Sequence, residues 1–291
     1  MAKISKTTAD LGLLSITVFW GSTFILSKLV LGEISLSRYL SIRLTIAAII
    51  MISIALPYRH QLDLKTVRAG FILGLFLFLS YFFQMWGIKF TTASNAGFIT
   101  GLNVVFVPLF SVLFFGDHPK VASLIGVLLA TAGLYLLSGG DFTQLNKGDW
   151  LVFICAVTVT FHVILTGKYA PQHNIYVLTA TQLATTAFFS LIFIALTASE
   201  VAISISTTTI IVLVYLAVFG TVYTFLMQTA MQRFTTATRT ALVFAMEPVF
   251  AALFAFLIAG EMMTSLGWIG GFLIICGMIV AEINWSKLGR D

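Results

Sequence analysis

Charged residues are scarce in this chain. Asp, Glu, Lys and Arg make up 9% of its 291 residues, whereas 59% are hydrophobic. A soluble domain carries about a quarter charged residues, and no soluble fold of this size could bury so much apolar surface. The apolar residues occur in runs close to the roughly 20 residues that a helix needs to cross a bilayer. The sequence therefore predicts an all-α integral membrane protein in contact with lipid.

Recognisable chemical motifs are also lacking. The two cysteines, Cys155 and Cys276, lie inside apolar runs without the spacing of a metal site or a redox pair, so we interpret them as packing residues. No helix-borne zinc motif, phosphate-binding loop or nucleophile elbow is present. We therefore expect no metal, no cofactor and no catalytic site. The net charge of +5 comes from scattered basic residues rather than a patch, so nucleic acid is not an expected partner.

Ten apolar spans are predicted, separated by short polar or turn-rich breaks. No Pro-rich or Gly/Ser-rich linker marks a separate soluble domain. The spans lie near residues 11–31, 36–56, 69–88, 95–115, 121–138, 150–167, 176–197, 210–231, 239–259 and 265–284.

The basic residues predict the orientation of these spans. An even number of spans places both termini on one side of the membrane, and cytoplasmic connections carry an excess of Lys and Arg. One side receives Lys3, Lys6, Arg59, Lys65, Arg68, Lys120, Lys168, Arg233, Arg239, Lys287 and Arg290. The other side receives only Arg38, Lys89 and Lys147, while Lys28 and Arg43 lie within spans. Both termini and residues 58–67 are therefore predicted to be cytoplasmic, and residues 139–148 external.

The second half of the chain repeats the first. A shift of 144 positions aligns residues 84–133 with residues 228–277 without a gap, and the match includes polar and glycine positions. The shift pairs Gln84 with Gln228, Lys89 with Arg233, residues 90–93 with 234–237, Gly116 with Gly260, Asp117 with Glu261, and Gly126 with Gly270. We interpret residues 1–144 and 145–291 as two five-helix repeats. Because five is odd, equivalent helices run in opposite directions, which is the inverted-repeat architecture of many secondary transporters.

These residues resemble the EamA-type members of the drug/metabolite transporter superfamily over essentially the whole chain. The strongest resemblance lies in Gln232-Arg233-Phe234, in the Glu247-Pro248 step of the ninth span, and in Gly260-Glu261 at its end. Residues 20–22 (Trp-Gly-Ser), Arg43 and residues 133–137 also fit the family pattern. The first repeat departs from it, with Asn103-Val104 in place of Glu-Pro and Asp117 in place of Glu. The polar lining contributed by the two halves is therefore not symmetric.

The resemblance implies a bacterial inner-membrane protein that moves a small-molecule substrate, commonly outward. Metabolites, amino acids or drug-like compounds would pass by alternating access through a cavity between spans one to four and six to nine, with spans five and ten outside it. Two other functions are open from the residues alone. One is a passive channel, and the other is an intramembrane enzyme that uses His162 and Glu247.

Ionisable residues within spans are the first candidates for such a site, because charge in a bilayer is costly and usually faces the bundle interior. Glu247 precedes Pro248, which lacks an N–H and can distort the helix beside the carboxyl group. His162 can change charge near physiological pH and could couple protons to transport. For Arg43 we expect a gating or structural role, and the same applies to Pro248. Each of these groups could instead tie helices together.

Neutral polar and aromatic residues complete the predicted substrate site. They would line a mostly apolar cavity with few polar anchors, which suits a small organic ligand. Individually, such groups also hold membrane helices together by hydrogen bonds. The predicted residues are Trp20, Tyr81, Gln84, Asn103, Gln182, Tyr223 and Gln228, in addition to His162 and Glu247.

Overall fold

The computed structural model describes residues 5–91, 93–137, 146–197, 205–260 and 264–282. All regular structure in these ranges is helical. Eight helical stretches are long and apolar enough to cross a membrane, and two shorter apolar helices cover Val121–Leu137 and Ser265–Ala281. This confirms the prediction of an all-helical membrane protein. The predicted external segment 139–148 lies largely outside the described residues, as do Lys3, Glu261, Lys287 and Arg290.

Thirteen α-helices are described. The first half contains α1 (Lys6–Glu33), α2 (Leu36–Ala55), α3 (Leu64–Gly87), α4 (Ala93–Gly101), α5 (Asn103–Phe115) and α6 (Val121–Leu137). The second half contains α7 (Lys147–Tyr169), α8 (Ile175–Thr197), α9 (Thr207–Ala217), α10 (Thr224–Met231), α11 (Ala237–Phe244), α12 (Glu247–Ala259) and α13 (Ser265–Glu282). Short 3-10 helices cover Leu56–Gln61, Ala170–Gln172 and Gln232–Phe234.

Polar side chains fix where several helices begin. The Asp63 carboxylate accepts the Thr66 backbone N–H at 2.7 Å at the start of α3, and bonds from Thr66 hold the pKa of Asp63 below its ordinary value. Asn146 and Asp149 form a reciprocal capping box at the start of α7. Each cap satisfies backbone N–H groups that have no partner within the helix.

Three of the long spans are interrupted near their middle. Leu102 separates α4 from α5, and residues 245–246 separate α11 from α12. The second break fits the position of Pro248, whose missing N–H leaves the carbonyl of Phe244 without its helical partner. Between α9 and α10, the turn Val218–Tyr223 is a π-helix, which accommodates one extra residue and occurs frequently at functional sites.

Four glycines join α6 to α13. A Cβ placed on Gly126 would lie 2.5 Å from the Gly277 carbonyl oxygen, and one on Gly133 would lie 2.5 Å from the Gly270 carbonyl oxygen. Conversely, a Cβ on Gly277 would lie 2.6 Å from the Gly126 carbonyl oxygen, and one on Gly270 would lie 2.4 Å from the Gly133 carbonyl oxygen. Small residues of this kind let membrane helices approach backbone to backbone. These two helices therefore pack as a close pair.

Candidate functional site

A cavity lies among the interrupted helices and their neighbours. Its volume is about 50 Å³, which is room for a few water molecules rather than for a metabolite. Side chains from α1 to α5, α7, α10 and α12 line it: Trp20, Thr23, Arg43, Leu77, Ser80, Tyr81, Gln84, Thr100, Asn103, Cys155, Val159, Phe225 and Glu247.

The structure divides the predicted site residues into two groups. Trp20, Arg43, Tyr81, Gln84, Asn103 and Glu247 all line the cavity. The remaining predicted residues lie outside its lining, namely His162, Gln182, Tyr223, Gln228 and Pro248. The cavity lining also contains polar and aromatic residues that were not predicted as site residues from the sequence, namely Thr23, Ser80, Thr100, Cys155 and Phe225. Phe225 could have been found, because the 144-residue shift pairs it with Tyr81.

Arg43 is almost completely buried, with 1% of its surface exposed. Its Nε donates to Thr221 Oγ1 at 3.0 Å, and its Nη2 donates to Tyr81 Oη at 3.1 Å and to the Gly220 carbonyl at 3.0 Å. Its Nη1 donates to Tyr39 Oη. The guanidinium also lies 4.7 Å from the centre of the Tyr81 ring. Every one of these partners is uncharged.

The π-helical turn creates part of the Arg43 environment. Thr221 Oγ1 donates to the Leu216 carbonyl, five residues back, while the Gly220 carbonyl is left to accept from Arg43. A Cβ on Gly220 would stand only 3.1 Å from Arg43 Nη2 and 3.0 Å from Thr23 Cγ2. The extra residue supplies acceptors inside the bilayer, and the glycine leaves room for the guanidinium.

Asn103 and Glu247 belong to the two broken spans. They are the first residues of α5 and α12, and the 144-residue shift places them at equivalent positions. The breaks face each other, because a Cβ on Gly101 would lie 3.5 Å from Pro248 Cγ. Asn103 is 4% exposed and its Oδ1 has no hydrogen-bond partner. Glu247 is 9% exposed and is the one carboxylate among the described residues that line the cavity.

A second polar group lies beside the cavity and is separated from it by Phe225. We call it the His162 cluster, and it consists of His162, Gln182, Gln228, Thr229 and Gln232. His162 Nε2 lies 3.1 Å from Gln182 Oε1, Gln182 Nε2 donates to Thr229 Oγ1, and Gln228 Nε2 donates to Gln232 Oε1. The Phe225 ring meets the His162 ring edge-on at 5.5 Å. His162 Nδ1 and Gln228 Oε1 have no hydrogen-bond partner.

Tyr223, which was predicted to bind substrate, lies outside the cavity lining and contacts α1. Its hydroxyl lies 2.8 Å from Ser15 Oγ, and its ring meets the Phe19 ring edge-on. These contacts tie the π-helical turn to α1.

Among the described residues, no group of three or more His, Cys, Asp or Glu side chains could hold a metal ion.

Long apolar helices around a cavity lined by one guanidinium and one carboxylate are typical of a multi-pass membrane protein. The chain belongs to the EamA-like transporter family, whose sequence profile matches residues 7–139 and again residues 146–282. This confirms the family resemblance found in the residues.

Curated relatives and a solved structure agree with this assignment. An uncharacterized transporter of Archaeoglobus fulgidus is 33% identical over 281 residues, which cover 97% of this chain and 88% of that protein. The uncharacterized transporter YyaM of Bacillus subtilis is 26% identical, with coverage of 93% and 92%. One crystal structure is 20% identical with a TM-score of 0.77 and covers 98% of this chain and 99% of its own. That likeness supports the fold alone.

Proposed function

We propose that this protein is a secondary active transporter that exports small organic metabolites by alternating access. The observation that carries the proposal is the cavity itself. Its lining includes two ionisable residues that are both more than nine-tenths buried. Glu247 stands at the break between α11 and α12, and Arg43, within the continuous helix α2, donates to the π-helical turn Val218–Tyr223. Charged residues in this environment are costly and mark substrate or ion routes, and interrupted helices form the substrate sites of many transporters.

We further propose ten membrane spans in two inverted repeats. The two shorter helices complete the ten, since the 17 residues of α6 extend for about 26 Å, close to the thickness of a hydrocarbon core. The glycine contacts support the inverted repeat. Gly126 meets Gly277 and Gly133 meets Gly270, and the 144-residue shift exchanges these two pairs. A twofold relation between antiparallel helices produces this reciprocal pattern.

Polar contacts at the helix ends support the assignment of the connecting segments to two opposite sides of the membrane. On the proposed cytoplasmic side, they join Asp10 with Arg239 at 2.7 Å, Lys168 with Asp117 at 3.3 Å, and Asn174 with Gln61 at 2.9 Å. On the proposed outer side, they join Ser206 with Glu33 and Thr91 with Asp149. Each contact connects segments that the ten-span topology places on the same side. We propose that both termini are cytoplasmic and that the protein resides in the inner membrane.

Cysteine labelling in intact cells tests this orientation. In a background with Cys155→Ala and Cys276→Ala, an impermeant thiol reagent should label Lys89→Cys and should not label Arg59→Cys. Both positions are exposed, so accessibility depends on the side of the membrane rather than on burial. Labelling of both variants after permeabilisation is the control. The reverse pattern in intact cells would overturn the orientation.

The small cavity volume implies movement during the cycle. A space of about 50 Å³ is small for a metabolite, and we propose that the cavity widens when a solute binds. Two similar repeats could exchange their conformations and expose the site to each side in turn. The His162 cluster lies behind Phe225, where such an exchange would bring it into contact with water.

Reconstitution in proteoliposomes tests the proposed function. Solutes are screened for accumulation first under an imposed proton gradient and then without one. Accumulation against a solute gradient is expected, whereas equilibration alone would indicate a passive channel. Chemical turnover of a solute by the protein in detergent, where no compartments exist, would indicate an intramembrane enzyme.

Replacement of His162 tests whether transport is coupled to protons. The side chains that contact its ring, Gln182 and Phe225, are uncharged, and Nδ1 has no partner. An imidazole that reaches water during the cycle can change charge between about pH 5 and 8. We therefore expect His162→Gln to flatten the pH profile of transport over this range. His173→Gln, which changes a histidine beside Thr66 at the helix ends, should retain the parent profile. Identical profiles for all three proteins would assign His162 a structural role.

A further inference from the structure

We infer that the cavity recognises a small organic carboxylate that also carries an N–H or O–H donor. One end of the solute, its carboxylate, binds the Arg43 guanidinium, and the donor at its other end binds Asn103 and Glu247, which line the same cavity. This inference rests on the proposed transport function and specifies the chemistry of its substrate.

The first argument is the charge of Arg43. The guanidinium has five N–H groups, and four of them donate to Tyr39, Tyr81, Gly220 and Thr221. All four acceptors are neutral, and no ion pair joins Arg43 to a carboxylate among the described residues. An unpaired charge is strongly disfavoured in an apolar interior. Glu247 lines the same cavity but forms no ion pair with Arg43. A solute carboxylate could pair directly with the guanidinium and accept from its remaining N–H group.

The second argument is the unused hydrogen-bonding capacity at the other end. Asn103 Oδ1 is a buried acceptor without a donor. Glu247 forms no hydrogen bond within the described residues, and its carboxyl group also accepts rather than donates when ionised. Both residues line the same cavity, so one solute could reach both. A hydroxyl or amino group of the solute would satisfy them, whereas a purely apolar end would leave them unpaired.

The wall between the two ends is apolar and aromatic. Trp20, Leu77 and Phe225 line it, and the Trp20 and Phe225 rings lie 5.6 Å apart. The carbon skeleton of the solute would pack against this wall while its polar groups bind at the ends. A neutral sugar would leave Arg43 without a direct ionic partner, and an organic cation without a carboxylate would add a second positive charge to the cavity that Arg43 lines. The arrangement therefore favours an apolar or aromatic acid.

Matched solutes separate these contributions in the purified full-length protein. Binding is measured by thermal shift for two sets: phenyllactate, its primary amide and phenylpropionate; and 2-hydroxy-4-methylpentanoate, its primary amide and 4-methylpentanoate. Leucine and phenylalanine test an ammonium donor. We expect at least one acid with a donor to bind at least about tenfold more tightly than its amide, since the amide loses a charge-assisted contact. The acid without a donor should also bind more weakly.

Two variants assign the ends of the site. Arg43→Lys keeps the charge but loses the planar fork, so binding of the acid should weaken about tenfold or more. Arg38→Lys is the matched control, because Arg38 does not line the cavity, and it should bind like the parent. Asn103→Leu removes an acceptor that has no partner, so its thermal midpoint should equal or exceed that of the parent. The preference for the donor-bearing acid over the donor-free acid should disappear in this variant.

These binding experiments test the inferred substrate chemistry separately from the proposed transport function. If no acid in the panel binds more tightly than its amide, or if Arg43→Lys binds like the parent, the inference is overturned. Should Arg43→Lys fail to insert, the amide comparison in the parent and the Asn103→Leu result decide. Binding of an acid without its accumulation in proteoliposomes would overturn the proposed transport function alone. Accumulation of a solute without a carboxylate would overturn the inference alone.

Discussion

Proteoliposomes containing Glu247→Gln should accumulate the transported solute at least about tenfold more slowly than those containing the parent, since a lost charge-assisted hydrogen bond weakens binding by that order. Glutamine keeps the volume of the side chain and some of its hydrogen bonding. Glu247 forms no hydrogen bond within the described residues, so the change should leave insertion and thermal stability near those of the parent. The expected defect is therefore in transport rather than in folding.

Glu33→Gln is the matched control for this experiment. Glu33 lies at the end of α1 and accepts hydrogen bonds from the Ser206 backbone N–H and hydroxyl, away from the cavity lining. Its replacement should leave the transport rate close to that of the parent. If Glu247→Gln transports at the parent rate, Glu247 has no part in the function. Equal losses in both variants would point to a general effect of surface or membrane charge.

The Gly133→Ala variant should be destabilised by about 1–3 kcal/mol, the usual cost of overpacking a well-packed interface. The added methyl group would stand 2.5 Å from the Gly270 carbonyl oxygen. That neighbour belongs to the helix backbone and cannot turn aside as a side chain could. The helices α6 and α13 must therefore separate locally, and the thermal midpoint in detergent should fall.

Gly97→Ala is the control for Gly133→Ala, because Gly97 also lies within a helix but without a close neighbour. A Cβ on Gly97 has no atom within 4 Å, and alanine is favoured over glycine in a helix by about 0.5–1 kcal/mol. The midpoint of this variant should stay unchanged or rise. If Gly133→Ala and Gly97→Ala have equal midpoints, the glycine contacts do not contribute to stability.

The family, the helical class and the polar cavity candidates could be found from the sequence, because ionisable residues are conspicuous in apolar spans. Ser80 and Thr23 also line the cavity but were harder to predict. Their hydroxyl groups donate to the Phe76 and Trp20 carbonyls of their own helices. Such bonds let serine and threonine occur on any helix face, so their presence does not predict a ligand site.

His162 illustrates a different limit of sequence reasoning. Cys155, Val159 and His162 are spaced so that they share one face of α7, and the first two line the cavity. His162 follows one turn further along the helix, where Phe225 covers it. Helical periodicity therefore predicts the face correctly, but the depth at which the cavity ends depends on a side chain from another helix.

The interruptions of the fourth and ninth spans were also not predicted as breaks between separate helices. Hydropathy remains high through Leu102 and through residues 245–246 because these residues are apolar themselves. Pro248 indicated a distortion in the ninth span, but Asn103 is followed by no adjacent proline in the fourth. The break at Leu102 is visible only in the backbone.

The π-helical turn between α9 and α10 also determines the directions in which the side chains of α10 point. One residue corresponds to about 100° of rotation in an α-helix, so the insertion reorients α10 relative to α9 by that angle. Phe225 thereby faces the cavity, and Gln228 faces the interior three residues later. Deletion of one residue from Val218–Tyr223 would restore a continuous α-helix, turn these side chains from their present partners and remove the Gly220 acceptor from Arg43. One inserted residue in the second half of the chain thus affects both the hydrogen bonding of Arg43, which lies in the first half, and the packing of α10.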